Sequence, residues 1–224
     1  MDRPQPVSEE LEVDLRNLRR LNRYFGSYRL IAHFLRRWIR SGMELRVLDL
    51  ATGSGDIPRL VVDHARAVGA VVTVEAVDQQ PSTLQIARRL SADYPEIQFI
   101  EGDVLTFERE PYDVVLCSLA LHHFSEADAI NLLRRCRELS RRYVLVADLR
   151  RGWMATAGVY LLTSLFFREP MTQTDARLSA ERAFSFAEFR GLAERAGWKS
   201  FGHAKFACAR QAIWLEATAQ EKTL

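Results

Sequence analysis

The stretch Val47-Leu48-Asp49-Leu50-Ala51-Thr52-Gly53-Ser54-Gly55-Asp56 runs from an apolar segment, through small residues, into a helical pattern that includes Pro58. Gly53 and Gly55 carry no Cβ, so the backbone there can approach a ligand closely and adopt unusual dihedrals. The N-terminus of the helix that follows offers free N–H groups to polar atoms. Ala51, Thr52, Gly53, Gly55 and Asp56 are therefore read as the floor of a nucleotide site. Asp49, at the strand end, could hold a ligand ammonium or anchor the loop. Asp78 closes the next apolar strand, with Gln79 after it, and a carboxylate there can accept both hydroxyls of a ribose. Gly102-Asp103-Val104 follows IQFIE. That carboxylate can accept from an adenine amino group while the next N–H pairs a ring nitrogen. Tyr112–Ser118 reads as a central strand. Residues past its carboxyl end, Ser118, Leu119, His122 and His123, face the crevice where open α/β sheets hold ligands. Both imidazoles titrate near neutral pH and are candidate general bases, His123 taken first.

These residues need a scaffold of alternating strands and helices. Short β-rich runs fall at 46–50, 71–78, 97–103, 112–118 and 142–149. Between them lie helical stripes such as Ile57, Leu60, Val61, Ala65 and Val68, and Ile130, Leu133, Cys136 and Leu139. The alternation predicts βαβ units around a parallel sheet, with right-handed crossovers placing helices on both faces. Residues 1–10 are expected to be disordered. Residues 11–41 read as an amphipathic helical pair broken at Gly26 and Ser27. The domain reading is a helical extension or lid over 1–44 and a main domain over 45–224, with 150–184 as an acceptor-pocket and lid insertion. Within it, Trp153–Phe167 is apolar and is expected to line the acceptor pocket, and 168–184 is expected to be a polar loop or lid. Ser185 with Glu188 has the spacing of a capping box. WKSFGHAKFA and CARQAIWLEA are expected to close the fold as an antiparallel hairpin.

Composition narrows the class. Of 224 residues, 48% are hydrophobic and 27% charged, as in an ordinary globular chain. The net charge of +2 makes no general case for nucleic acid or an anionic membrane. Arginines outnumber lysines 28 to 3, which reads as genome composition before phosphate binding. Cys117, Cys136 and Cys208 form no CxxC pair, so free thiols in a reducing compartment are expected. No HxxH pair or clustered carboxylates argue for a metal. The longest uncharged stretch, Gly152–Phe167, falls short of the roughly 20 residues a membrane helix needs. A cytoplasmic protein without integral membrane association is expected, as monomer or homodimer. A dinucleotide dehydrogenase would want G-x-G-x-x-G; here Pro58 stands where the third glycine belongs, and Asp103 has no role in that reading.

Taken in order, the motifs resemble the class I SAM-dependent methyltransferases over residues 45–150. VLDLATGSG is similar to that family's first motif, with Ala51 in a place usually held by glycine. EAVDQQP resembles its ribose-binding element, EGDVLTF its adenine-side element, and YDVVLCSLALHHF its fourth motif. The resemblance implies an α/β fold, a doubly wound, mostly parallel seven-stranded sheet of Rossmann-like methyltransferase type with an N-terminal helical extension. It also implies S-adenosyl-L-methionine (SAM) as cofactor, S-adenosyl-L-homocysteine (SAH) as product, no metal and a bacterial source. The ATGSGD wording and the histidine pair are closest to quinone-methylating enzymes and to bacterial O-methyltransferases of phenols in secondary metabolism. The expected acceptor is a small, apolar aromatic molecule, methylated on oxygen, with carbon methylation in quinone biosynthesis and a non-catalytic SAM-binding module as alternatives. Tyr24, Phe25, Asp148 and Tyr160 are the expected acceptor contacts. The amino-methylating NPPY tetrad is absent, CSLA standing in its place, so no nucleic-acid substrate is expected.

Overall fold

The computed structural model describes residues 7–153, residue 160 and residues 170–216. The β-rich runs become β1 (Glu44–Leu50), β2 (Val71–Asp78), β3 (Ile97–Glu101), β4 (Tyr112–Ser118) and β5 (Ser140–Leu149), and the C-terminal pair becomes β6 (Gly202–Phe206) and β7 (Arg210–Glu216). All seven form one sheet in the order β3-β2-β1-β4-β5-β7-β6. β1 to β5 pair in parallel, while β7 runs antiparallel to β5 and β6. The chain order reverses between β1 and β4. At such a switch point the connections leave in opposite directions and open a crevice above the strand ends.

The helices are α1 (Glu9–Tyr24), α2 (Ser27–Trp38), α3 (Asp56–Val68), α4 (Pro81–Leu90), α5 (Glu126–Glu138), α6 (Pro170–Arg182) and α7 (Phe186–Arg195). Strands covered on both faces are near-continuous apolar runs, because every side chain meets a helix. On β1, Val47 packs with Phe34, Trp38 and Val61 from α2 and α3. Its neighbours Leu48 and Leu50 turn to Leu132, Leu133 and Phe189 from α5 and α7. Burying each such side chain stabilises the fold by about 1.5–3 kcal/mol. The stripe Leu30, Ile31, Phe34, Leu35 and Trp38 is wholly buried, so α2 shares one core with β1 across residue 44.

Two expectations change. Glu9 and Glu10 are not irregular: α1 starts at Glu9, where the Ser8 hydroxyl accepts from Leu11 N at 3.2 Å. Three glutamates in the first turn suit the positive end of the helix. Most of the polar stretch 168–184 is the helix α6, not a loop. Apolar periodicity misses it because its contact with α1 is partly polar. Buried Thr172 donates its hydroxyl to Asp14 Oδ1 at 2.8 Å and accepts from Asn17 Nδ2 at 3.2 Å. The Ser185–Glu188 capping box is present at the start of α7. Most of the apolar Trp153–Phe167 segment, 154–159 and 161–167, lies outside the described residues. Among the described residues no helix is long and apolar enough to cross a membrane.

Candidate active site

The turn after β1 carries the strain its sequence advertises. Ala51 has φ 57°, Gly53 55° and Gly55 71°. Ala51 thus occupies left-handed backbone in spite of its Cβ, a cost tolerated mostly at functional sites. The two glycines are needed for different reasons. A Cβ on Gly53 would point into open space, whereas one on Gly55 would sit 2.8 Å from the Phe99 ring. Gly53 leaves room for a ligand, and Gly55 makes room for β3. Leu119, past the end of β4, is also left-handed at φ 56°, and its N–H donates to Ala147 O at 2.8 Å.

Three carboxylates surround the turn. Asp49 is 2% exposed, and its Oδ2 has no hydrogen-bond partner. Burial pushes its pKa up to about 8, with the neighbouring Thr52 hydroxyl partly offsetting the rise and the charges of Asp56 and Asp78 adding to it. Asp78 is locked to the turn: its Oδ2 accepts from Gly53 N at 2.8 Å and its Oδ1 from Gln80 N at 3.0 Å. Burial raises the Asp78 carboxyl, and the N–H groups of Gln80, Gly53 and Gln79 partly offset that. Asp56 Oδ2 accepts from Asn22 Nδ2 at 3.1 Å and from the Tyr28 hydroxyl at 3.0 Å. The acid at the head of α3 therefore fastens α1 and α2 over the turn.

Above the strand ends lies a cavity of about 770 Å³. Its walls bring together Ala51, Thr52, Gly53, Asp56, Ser118 and Leu119 with Phe25, His122 and His123. Thr52 Oγ1 and Ser118 Oγ are buried without partners, as is Asp49 Oδ2 behind them. Unpaired polar atoms are costly to bury unless something completes them. An amino-acid-bearing cation fits this donor set: a carboxylate for its ammonium, two hydroxyls, and open backbone at Gly53. SAM meets that description, and Asp49, Thr52, Gly53 and Ser118 would hold its methionyl part; Asp78 is bonded to the turn and is not on the cavity wall.

On the far side of β4 the carboxylate at the end of β5 stands behind a histidine. Asp148 Oδ1 accepts from His122 Nδ1 at 2.6 Å, and Oδ2 accepts from the His122 backbone N–H at 3.0 Å. Leu149 N also donates to Oδ1, at 2.6 Å. Burial alone would raise the Asp148 carboxyl, but His122 and these N–H groups outweigh it and hold it below its usual range. Nδ1–H is spent on the carboxylate, so the lone pair is assigned to Nε2. Nε2 is buried and has no partner. The exposed His123 ring lies against His122, centroids 4.2 Å apart.

Other expected contacts fall elsewhere. Asp148 is buried behind His122 and is not on the cavity wall, where an acceptor contact was expected. Tyr24 is 73% exposed and also off the wall. Tyr160 donates its hydroxyl to Glu181 and is no part of the cavity lining. Gln79, Gly102, Asp103 and Val104 sit at the ends of β2 and β3, beyond the cavity; Asp103 Oδ1 accepts from Leu105 N at 2.9 Å, and the Val104 side chain is in the core. Sequence reasoning missed Asn22, Arg150 and Arg210. Arg150 follows one apolar strand and Arg210 opens another, so neither gives a signal of its own.

Residues 47–142 match a family profile described as "Methyltransferase domain". Over 87 residues, 39% of this chain and 37% of the relative, the sequence is 33% identical to the 2-phytyl-1,4-naphtoquinone methyltransferase of Thermosynechococcus vestitus. Over 100 residues, 40% of this chain and 44% of the relative, it is 35% identical to the demethylmenaquinone methyltransferase of Thermus thermophilus. The chain thus spans less than half the length of these curated relatives. The fold is shared with the plantazolicin methyltransferase BpumL in complex with SAH, at TM-score 0.69 and 13% identity over 93% of this chain and 90% of that one. An O-methyltransferase family protein from Burkholderia thailandensis matches at TM-score 0.68 and 16% identity over 94% of this chain and 60% of that one. Residues 47–142 thus form a methyltransferase domain, and the sheet order and glycine turn beside it are those of the class I SAM-dependent methyltransferase fold.

Proposed function

We propose that the chain transfers the methyl group of SAM to a hydroxyl oxygen of a small, apolar aromatic acceptor, with His122 taking the hydroxyl proton. The observation that carries this reading is His122 on the wall of the same cavity as the glycine turn, with the buried Asp148 carboxylate bonded behind it. Bound SAM supplies an activated methyl on a sulfonium, so the protein's task is alignment and proton removal. Asp49 and Gly53 hold the donor end, Phe25 and Leu119 press on the acceptor ring, and α1 and α6 cover the crevice against water. Asp148 fixes the tautomer in which Nε2 can accept and steadies the imidazolium that forms. His123, exposed beside it, shapes the wall.

The curated relatives' names favour a second reading, carbon methylation of a quinol ring. That reaction also gains from removing a phenolic proton, so the same base serves. Incubation with labelled SAM and a panel of alkylresorcinols, flavonoids and quinols, followed by fragmentation of the labelled product, separates the two. Label on oxygen supports the first reading, and label on a ring carbon replaces it with the second. SAM binding without any labelled product would leave a non-catalytic SAM-binding module.

A further inference from the structure

Two arginines share the end of the cavity above β5 and β7. Leu149 pairs with Arg210 in the ladder, and Arg150 N donates to Ala209 O at 2.8 Å, so the two follow and open adjacent strands. Both line the cavity. Arg210 is 8% exposed. Its Nε donates to Ser27 Oγ at 2.8 Å and its Nη1 to Cys208 O at 3.1 Å, and no partner for Nη2 is found among the described residues. Arg150 Nε is buried without a partner. Neither guanidinium forms an ion pair among the described residues. Asp148 is the carboxylate whose charge reaches Arg210, but its oxygens are taken by His122 and Leu149. The cavity's own carboxylates, Asp56 and Asp175, come from α3 and α6.

A guanidinium cannot shed its proton, and leaving one buried without an anion is unfavourable. Its planar fork matches a carboxylate. We infer that Arg150 and Arg210 form a subsite for an anionic group on the acceptor, so that the substrate is an aromatic carboxylate with an apolar body. This rests on the methyl-transfer reading. The sheet order separates the subsite from the cofactor: Asp49, Gly53 and Asp78 follow β1 and β2 on one side of β4, whereas Arg150 and Arg210 flank β5 and β7 on the other. Leu149, Ala176 and Ala180 on the wall of the same cavity supply apolar surface.

Olivetolic acid and olivetol test this, because they share a pentyl resorcinol body and differ by one carboxylate. Calorimetric titration into the protein, with and without SAH, is expected to show olivetolate binding at least about tenfold more tightly, the worth of one charge-assisted hydrogen bond or more. Arg210→Gln should reduce that preference to about twofold while SAH affinity stays within about twofold. Arg150→Gln, at a less buried position, should act the same way if the first variant folds poorly. Equal binding of the two probes, or binding of neither, overturns the proposal. So does a variant that loses SAH affinity but keeps the preference, since the carboxylate bound is then that of the cofactor. Absence of SAH binding by the unaltered protein sinks the methyl-transfer reading itself, a separate result.

Discussion

Asp148→Asn is the sharpest perturbation of the proposed base. Asparagine keeps the shape and one acceptor oxygen, which can still take the His122 backbone N–H held at 3.0 Å. In the orientation that keeps that bond, its amide N–H meets His122 Nδ1, where the carboxylate now accepts at 2.6 Å, so Nδ1 must accept and the proton moves to Nε2, which can no longer act as a base; the Leu149 N–H on the same side loses its acceptor. The lost charge-assisted bond is worth about 1.5–3 kcal/mol, and the new bond favours the inactive tautomer by about 1 kcal/mol more. A barrier raised by about 2.5–4 kcal/mol lowers kcat by about two to three orders of magnitude. The assay is steady-state transfer to a phenolic acceptor found by the labelling panel, with SAH affinity as control, expected within about twofold of the parent. The deficit should shrink as pH approaches the acceptor's own pKa, because a phenolate needs no base. A variant that keeps kcat within about threefold refutes the reasoning, as does a large loss that is independent of pH.

Gly55→Ala should lower the Tm more than Gly53→Ala, because both strain left-handed backbone by about 1–2 kcal/mol but only the first drives a methyl into the Phe99 ring; Gly53→Ala should instead weaken SAH binding, and equal melting losses would contradict the assignment. With its folded pKa raised to about 8, Asp49 contributes stability that is fully present below its unfolded pKa and is lost as pH rises through about 8. Asp49→Asn should therefore melt higher than the parent at alkaline pH and bind SAM less tightly, and a variant less stable at every pH would count against an unpaired buried carboxyl. His203 has the opposite behaviour: burial, and then Arg190 and Lys205, depress it from 6.5 to about 4, so stability present above 6.5 is lost as pH falls through about 4. His203→Phe should flatten the acid limb of a Tm–pH curve, and an unchanged limb would assign acid loss elsewhere.

The sequence by itself determined the elements with strong periodicity. Five parallel strands are readable because strands buried on both faces must be continuously apolar, as in Val114, Val115 and Leu116. The Val47–Pro58 turn is readable because left-handed backbone selects glycine locally, and the hairpin and the Ser185 cap are likewise local signals. What passed unread is carried by contacts between residues far apart in the chain. α6 is polar over much of its length, and the bonds of Thr172 to Asp14 and Asn17, across more than 150 positions, tie it to α1. Asp56 is on the cavity wall, and the Asn22 and Tyr28 bonds that reach it from helices preceding it leave no local signal. The choice between His122 and His123 could not be made from two adjacent imidazoles. It required the end of β5 to be brought beside the end of β4, because only that pairing sets a carboxylate behind one ring and leaves the other exposed. Local sequence dictates which backbone can bend to hold a cofactor, whereas the partner that orients a base, and the arginines that await an anion, exist only once the sheet is assembled.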